Sequence, residues 1–255
     1  MVVDPIYNYI LVIAFVWAMV GFIVTQFIMQ APYGQHDNLG ENHWRINERL
    51  GWFLMEAPAP IVFITCFLWH GIPTAVAAWV LFALWNLHYF HRAFIYPFRI
   101  HASKQTRIPV LVVAMGGLYC GTNGYLNGTW IGNYSVYNDV WLRDPRFILG
   151  CSLFLFGYFL NKQSDRILIQ LRQPGETGYK IPYGGGFRFV SSPNYLGEIL
   201  TWSGFAIACW SLAGLSFVVM TIANLVPRAL TRHQWYLQTF AAYPKERRAL
   251  IPYVL

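Results

Sequence analysis

The sequence predicts an all-α, multi-pass membrane protein of seven transmembrane helices, with the N-terminus outside and the C-terminus in the cytosol. Three observations carry this prediction. Of the 255 residues, 56% are hydrophobic and only 11% are charged, where a soluble domain has about 25% charged, so polar side chains are too few to cover a water-facing surface. Seven segments, near 6–29, 51–69, 73–91, 108–126, 146–161, 194–210 and 212–229, approach the roughly 20 apolar residues that a helix needs to cross hydrocarbon. With the N-terminus outside, all but two of the 18 Lys and Arg fall in inner loops and the tail, leaving Arg143 and Arg146 opposite. Helices are required because lipid satisfies no backbone group, and no ten-residue alternation suggests a barrel.

The same numbers exclude disorder and a disulfide-stapled secreted module, and Cys66, Cys120, Cys151 and Cys209, each in an apolar stretch, read as buried thiols. A net charge of +7 with 18% aromatics would suit nucleic acid. The basic residues are separated by long apolar segments, however, so no nucleic-acid partner is expected, and the chain is expected to be monomeric.

The first span follows Asp4 with no basic region or cleavage pattern before it, so it is expected to remain in the mature chain. The second contains Trp52-Phe-Leu-Met-Glu56-Ala-Pro-Ala-Pro60. A carboxylate in a span costs roughly 2.5–3.5 kcal/mol at its centre, which makes Glu56, like Glu198 in the sixth span, a functional candidate. The prolines should open the helix beside Glu56.

The third span ends in Asn86-Leu-His88-Tyr89-Phe-His91-Arg92, where helical spacing places Tyr89 beside Arg92 on one polar face. That face reads equally well as an interfacial anchor. One close cluster among seven histidines is too little for a membrane di-iron site, and no metal is expected. After the fourth span, Asn127-Gly-Thr129 and Asn133-Tyr-Ser135 match the glycosylation pattern on the outer side.

The fifth span runs into Asn161-Lys-Gln-Ser-Asp165, whose first and last members share a helix face, and then into Leu171-Arg172-Gln-Pro-Gly-Glu176 and Tyr179-Lys-Ile-Pro. Gly184, Gly185 and Gly186 permit close backbone approach but form neither a P-loop nor a dinucleotide fingerprint. Ser192 is the expected N-cap of the sixth span and Pro193 its first helical residue, which puts Asn194, Glu198 and Trp202 on one face. Arg228, Arg232, His233 and Tyr236 follow the seventh at near-helical spacing and, taken alone, read as a basic tail facing headgroups. The long inner segments 161–193 and 228–255 make the cytosolic face the working face.

Taken in order, these segments resemble the steroid 5α-reductase (3-oxo-5α-steroid 4-dehydrogenase) family over nearly the whole chain. The landmarks are Pro32-Tyr33-Gly34, Trp52 to Glu56, His88 to Arg92, Asn161 to Asp165, Leu171 to Glu176, Tyr179-Lys-Ile-Pro, Asn194-Tyr-Leu-Gly-Glu198 and Tyr243-Pro-Lys-Glu-Arg247-Arg-Ala-Leu-Ile-Pro252. The resemblance implies an NADPH-dependent oxidoreductase that transfers hydride to C5 of a 3-oxo-Δ4-steroid and protonates C4, through water or Tyr89. The steroid would enter from the bilayer of a bacterial inner membrane or endoplasmic reticulum.

It also implies roles. Glu56 and Tyr89 would be catalytic at the 3-carbonyl, with Trp52, Tyr33 and Arg92 completing the substrate site. Asn161, Asp165, Arg172, Tyr179, Asn194, Glu198, Trp202, Arg228, Arg232 and Tyr236 would surround the NADPH. Lys180 stands where relatives often have Arg, and Arg232 where His is expected. Reduction of another lipid enone, an enoyl-CoA or a polyprenol is the alternative enzyme reading, and a seven-helix lipid-binding receptor or transporter the non-enzyme one.

Overall fold

The computed structural model describes residues 3–28, 44–100, 107–171, 176 and 178–255. Its helices are α1 (Pro5–Ile23), α2 (Glu48–Glu56), α3 (Pro58–Leu68), α4 (Val76–Phe90), α5 (Tyr96–Arg99), α6 (Val110–Thr129), α7 (Pro145–Gln170), α8 (Pro193–Cys209) and α9 (Leu212–Thr239). Helix covers most of each of the seven expected segments, although 73–75 precede α4, 108 and 109 lie in a strand, and 29 lies outside the described residues. Among the described residues, three helical stretches, Pro5–Phe27, Glu48–Leu68 and Leu212–Thr239, are long and apolar enough to cross a membrane. α1 exposes Val12, Ile13, Val16 and Met19 outward, as a helix facing lipid does.

Among the described residues, the structure departs from the expected all-α pattern in a two-stranded ribbon and in a single β-bridge between Val190 and Arg248. Strands β1 (Arg45–Asn47) and β2 (Arg107–Pro109) pair antiparallel, with Ile46 opposite Ile108, and so tie the start of α2 to the start of α6. The expected second span is two helices, α2 and α3, joined at Ala57. Pro58 and Pro60 have no N–H to give the carbonyls of Leu54 and Glu56, so the ladder is interrupted just where Glu56 sits.

Two helices outrun their expected ends. α7 continues nine residues past Asn161, to Gln170, and α9 continues past 229 through Arg232 and Tyr236. Hydropathy marks where the apolar run stops, whereas Lys, Gln and Arg sustain a helix in water as well as Leu does. α9 also passes through Pro227, which cannot bond to the carbonyl of Ala223. Thr25 Oγ1, in the π-type turn after α1 (Val24–Ile28), approaches that carbonyl at 3.4 Å from across the α1–α9 contact.

Helices α7 and α8 pack backbone to backbone. A Cβ on Gly197 would lie 2.5 Å from the Asn161 amide nitrogen and 2.7 Å from the Gly157 carbonyl. α8 then turns tightly into α9 at Trp210, which adopts φ 47°, with Ser211 Oγ accepting the Gly214 N–H at 3.0 Å. The aromatic core, Phe63, Phe67, Trp85, Phe154, Trp202, Phe205 and Phe217, lies among α3, α4, α7, α8 and α9.

Candidate active site

Polar groups from five helices meet beside this core. Glu56, the last residue of α2, accepts Arg92 Nε at Oε1 (3.4 Å), while the Cys120 thiol of α6 approaches Oε2 at 3.8 Å. Arg92 lies in a π-type turn, His91–Ile95, that continues α4 and widens the helix at this point. Its guanidinium sits 4.7 Å from the centre of the Trp52 ring and 4.6 Å from that of Tyr96, and these two rings meet edge to face. Its Nη1 is 4.0 Å from Asp165 Oδ2 on α7. Arg92 thus links the acid of α2 to the acid of α7.

Tyr89 is 3% exposed. Its ring packs on Trp85, His88 and Trp202, and its hydroxyl accepts Asn123 Nδ2 of α6 at 3.4 Å. The α6 face that carries Cys120, beside Glu56, also carries Asn123, beside Tyr89. The two expected catalytic side chains therefore both contact α6, Glu56 from α2 and Tyr89 from α4.

The α7–α8 seam supplies the other half. Asn161 Nδ2 donates to the Asn194 carbonyl at 2.9 Å, and Asn194 Nδ2 donates to Asp165 Oδ1 at 3.4 Å. The glycines of the seam let these short side chains reach across. Glu198 Oε1 receives both Trp202 Nε1 and His88 Nε2 at 3.1 Å. Asn161 Oδ1, Asn194 Oδ1, Lys162 Nζ and Ser192 Oγ are buried with no hydrogen-bond partner among the described residues, an arrangement that is costly unless a bound group meets them.

On α9, Arg232 Nη2 donates to the Tyr195 hydroxyl at 2.6 Å and lies over that ring. Tyr236 stacks on Tyr243 at 4.9 Å, Tyr179 meets Trp235 edge to face, and Arg228 is half-buried. The C-terminal segment holds the loop before α8. Ser191 N bonds to Arg248 O at 2.8 Å, and Ser191 Oγ lies 2.7 Å from His233 Nδ1 and 2.6 Å from the Tyr243 hydroxyl. Tyr33 and Arg172 lie outside the described residues.

Several expectations are revised. Ser192 occupies the N-cap of α8, but its hydroxyl makes no cap hydrogen bond; its carbonyl receives the Tyr195 and Leu196 amides instead. Asn127 is 0% exposed inside α6, and Asn133 Nδ2 is engaged by the Cys66 carbonyl at 2.9 Å, so the first sequon is buried and the second has its amide in use. Trp202 lies in the aromatic core, with its ring against His88 and Tyr89 and its indole N–H on Glu198. Cys120 is buried as expected, yet it touches Glu56. Sequence reasoning passed over Asn123; two amides four residues apart in an apolar helix were the signal available.

The family model described as 3-oxo-5-alpha-steroid 4-dehydrogenase matches residues 106–255. The chain is 40% identical over 224 residues to human 3-oxo-5-alpha-steroid 4-dehydrogenase 1, covering 87% of this chain and 85% of the relative. It is 40% identical over 244 residues to the mouse protein of that name, covering 93% and 92%. It is 38% identical over 254 residues to steroid 5-alpha-reductase DET2 of Solanum lycopersicum, covering 98% of each. With its apolar helices and buried polar interior, the chain is a membrane protein and an oxidoreductase belonging to the 3-oxo-5-alpha-steroid 4-dehydrogenase family.

Proposed function

We propose that this protein reduces the Δ4 double bond of 3-oxo-Δ4-steroids to give 5α-reduced 3-oxosteroids, with NADPH as cofactor. The observation that carries this reading is that α6 contacts both Glu56, through Cys120, and Tyr89, through Asn123, while Arg92 joins Glu56 to Asp165 of the polar seam of α7 and α8. In this reading the seven segments are seven spans, the N-terminus is outside, and 161–193 and 228–255 form the cytosolic cofactor-binding face of one membrane domain. The chain acts as a monomer in a bacterial inner membrane or endoplasmic reticulum, and the steroid comes from the bilayer.

The residues present fit the cofactor. The buried amide oxygens of Asn161 and Asn194 are suited to accept from a carboxamide, and Arg228, Arg232 and Arg172 supply cations for phosphates. Asp165, Tyr179, Glu198, Trp202 and Tyr236 complete that set. When bound, NADPH supplies the hydride that adds to C5.

The chain's own contribution is at the other end of the enone. As negative charge builds on the 3-oxygen, a fixed donor lowers the barrier, because it need not reorganise at the moment of reaction. Tyr89 provides one donor, its O–H. Glu56, paired with Arg92 through Oε1 in the resting protein, provides a second only once protonated, at Oε2, which faces Cys120 rather than Arg92. Trp52 and Arg92 wall the steroid pocket, Tyr33 keeps the substrate role that the family resemblance implies, and C4 receives its proton from water or Tyr89. NADPH oxidation by detergent-purified protein with testosterone, and the 5α configuration of the product, test this reading. Turnover of an enoyl-CoA or polyprenol but no steroid would replace it.

A further inference from the structure

Resting on the reading above, we infer that Asn123 and Asn127 of α6 form an amide relay that keeps the Tyr89 O–H turned toward the substrate oxygen. A phenol can donate or accept, and only a donating Tyr89 stabilises an enolate. What decides between the two is the polarity of its neighbour. Amide oxygen and nitrogen have nearly the same shape, so that polarity must be anchored by a group that cannot rotate.

The anchor is the helix itself. Asn127 Nδ2 donates to the backbone carbonyl of Asn123 at 3.1 Å, and the same nitrogen donates to Asn123 Oδ1 at 2.8 Å. A carbonyl oxygen can face only a donor, so Asn127 presents its NH2. Asn123 must then turn its oxygen toward Asn127 and its own NH2 toward Tyr89, which accepts at 3.4 Å. With a lone pair of Tyr89 engaged in this way, the phenolic hydrogen points elsewhere. A flipped Asn123 would set its NH2 against that of Asn127 and capture the phenol proton. All three side chains are closed to water, at 2% exposure for Asn123, 0% for Asn127 and 3% for Tyr89. No solvent molecule can substitute for the relay at low cost.

Asn123 is therefore a positioning residue, and Asn127 sets its polarity without touching Tyr89. Asn123→Asp replaces the donor with an acceptor, Asn123→Leu removes it, and Asn127→Leu releases the anchor. The readout is the infrared C=O stretch of a 3-13C-labelled 3-oxo-Δ4-steroid bound with NADP+, where no turnover occurs, together with kcat and KM. In wild type the stretch should fall on binding, and Tyr89→Phe should largely restore it.

Asn123→Asp, which offers the phenol an acceptor, should restore it likewise, with kcat lower by about 10- to 100-fold and KM within about three-fold, whereas Asn123→Leu, which offers none, should move both readouts only part of the way. Asn127→Leu should move both readouts part of the way. In a Tyr89→Phe background, Asn123→Leu should cost no further activity. The relay is overturned if Asn123 variants keep the lowered stretch, or if they reduce kcat equally with and without the Tyr89 hydroxyl. Should an Asn123 variant not fold, Asn127→Leu decides by the same stretch. Identical stretches in wild type and Tyr89→Phe would instead remove Tyr89 as a donor, and with it the catalytic reading.

Discussion

Replacing Arg92 by Met should unbalance two acids at once, and its size can be worked from the geometry. At 3.4 Å from Glu56, with an effective dielectric near 20, the pair has a gross attraction of about 5 kcal/mol; at 4.0 Å from Asp165 it is about 4 kcal/mol. Desolvation offsets most of this in a half-buried pair, yet removing one partner leaves the penalty uncompensated and typically costs about 3–5 kcal/mol. The loss of cation–π contact with Trp52 and Tyr96 adds to it by roughly 1 kcal/mol each. At about 2–4 °C per kcal/mol for a chain of this size, a total loss of about 5–7 kcal/mol should lower the unfolding midpoint in detergent by about 10–28 °C. Much of this arises from an acid left without a cation, so adding Glu56→Gln to Arg92→Met should recover about 1–2 kcal/mol. The assay is the thermal midpoint of wild type, both single variants and the double. Strict additivity would refute the ion pair as the source of the loss.

Other outcomes follow from the same geometry. Tyr89→Phe should lower single-turnover reduction by about 100-fold or more while NADPH affinity, read by fluorescence, stays near wild type. Glu56→Gln, which keeps a donor, should retain measurable turnover, whereas Glu56→Leu should lose it; equal rates in both would remove Glu56 from the chemistry. Gly197→Ala places a methyl group against the Asn161 backbone, so α7 and α8 must part, with a loss of about 1–3 kcal/mol and weaker NADPH binding. Asp144, at the start of α7, is held down to about 2 from 3.8 by its side-chain hydrogen bonds with Arg146 and its cap to the Arg146 amide. Because the folded value is depressed, the stabilisation is complete above pH 4 and is lost as pH falls through about 2. Asp144→Asn should flatten the acid limb of the unfolding midpoint between those values.

The positions of the helices were legible in the sequence because an apolar segment of sufficient length has few alternatives once water is excluded. Glu56, Tyr89, Asn161, Asp165, Asn194 and Glu198 stood out for a related reason: each is a polar group in or beside an apolar run, where its cost calls for a partner. Helix ends were less legible, and α7 and α9 run on because charged residues continue a helix that hydropathy has stopped marking.

What the sequence determined by itself was the class of the molecule, its family and the residue types available to an active site. Only the tertiary structure decided which partner each took: that Arg92 stands between Glu56 and Asp165, that Glu198 is shared by His88 and Trp202, and that Asn127, a plausible glycosylation site by pattern, is sealed inside α6. Pairing depends on the distance and direction between side chains from separate helices. Those quantities are fixed by how closely the helices approach, as the glycine seam of α7 and α8 shows, and no local pattern encodes them.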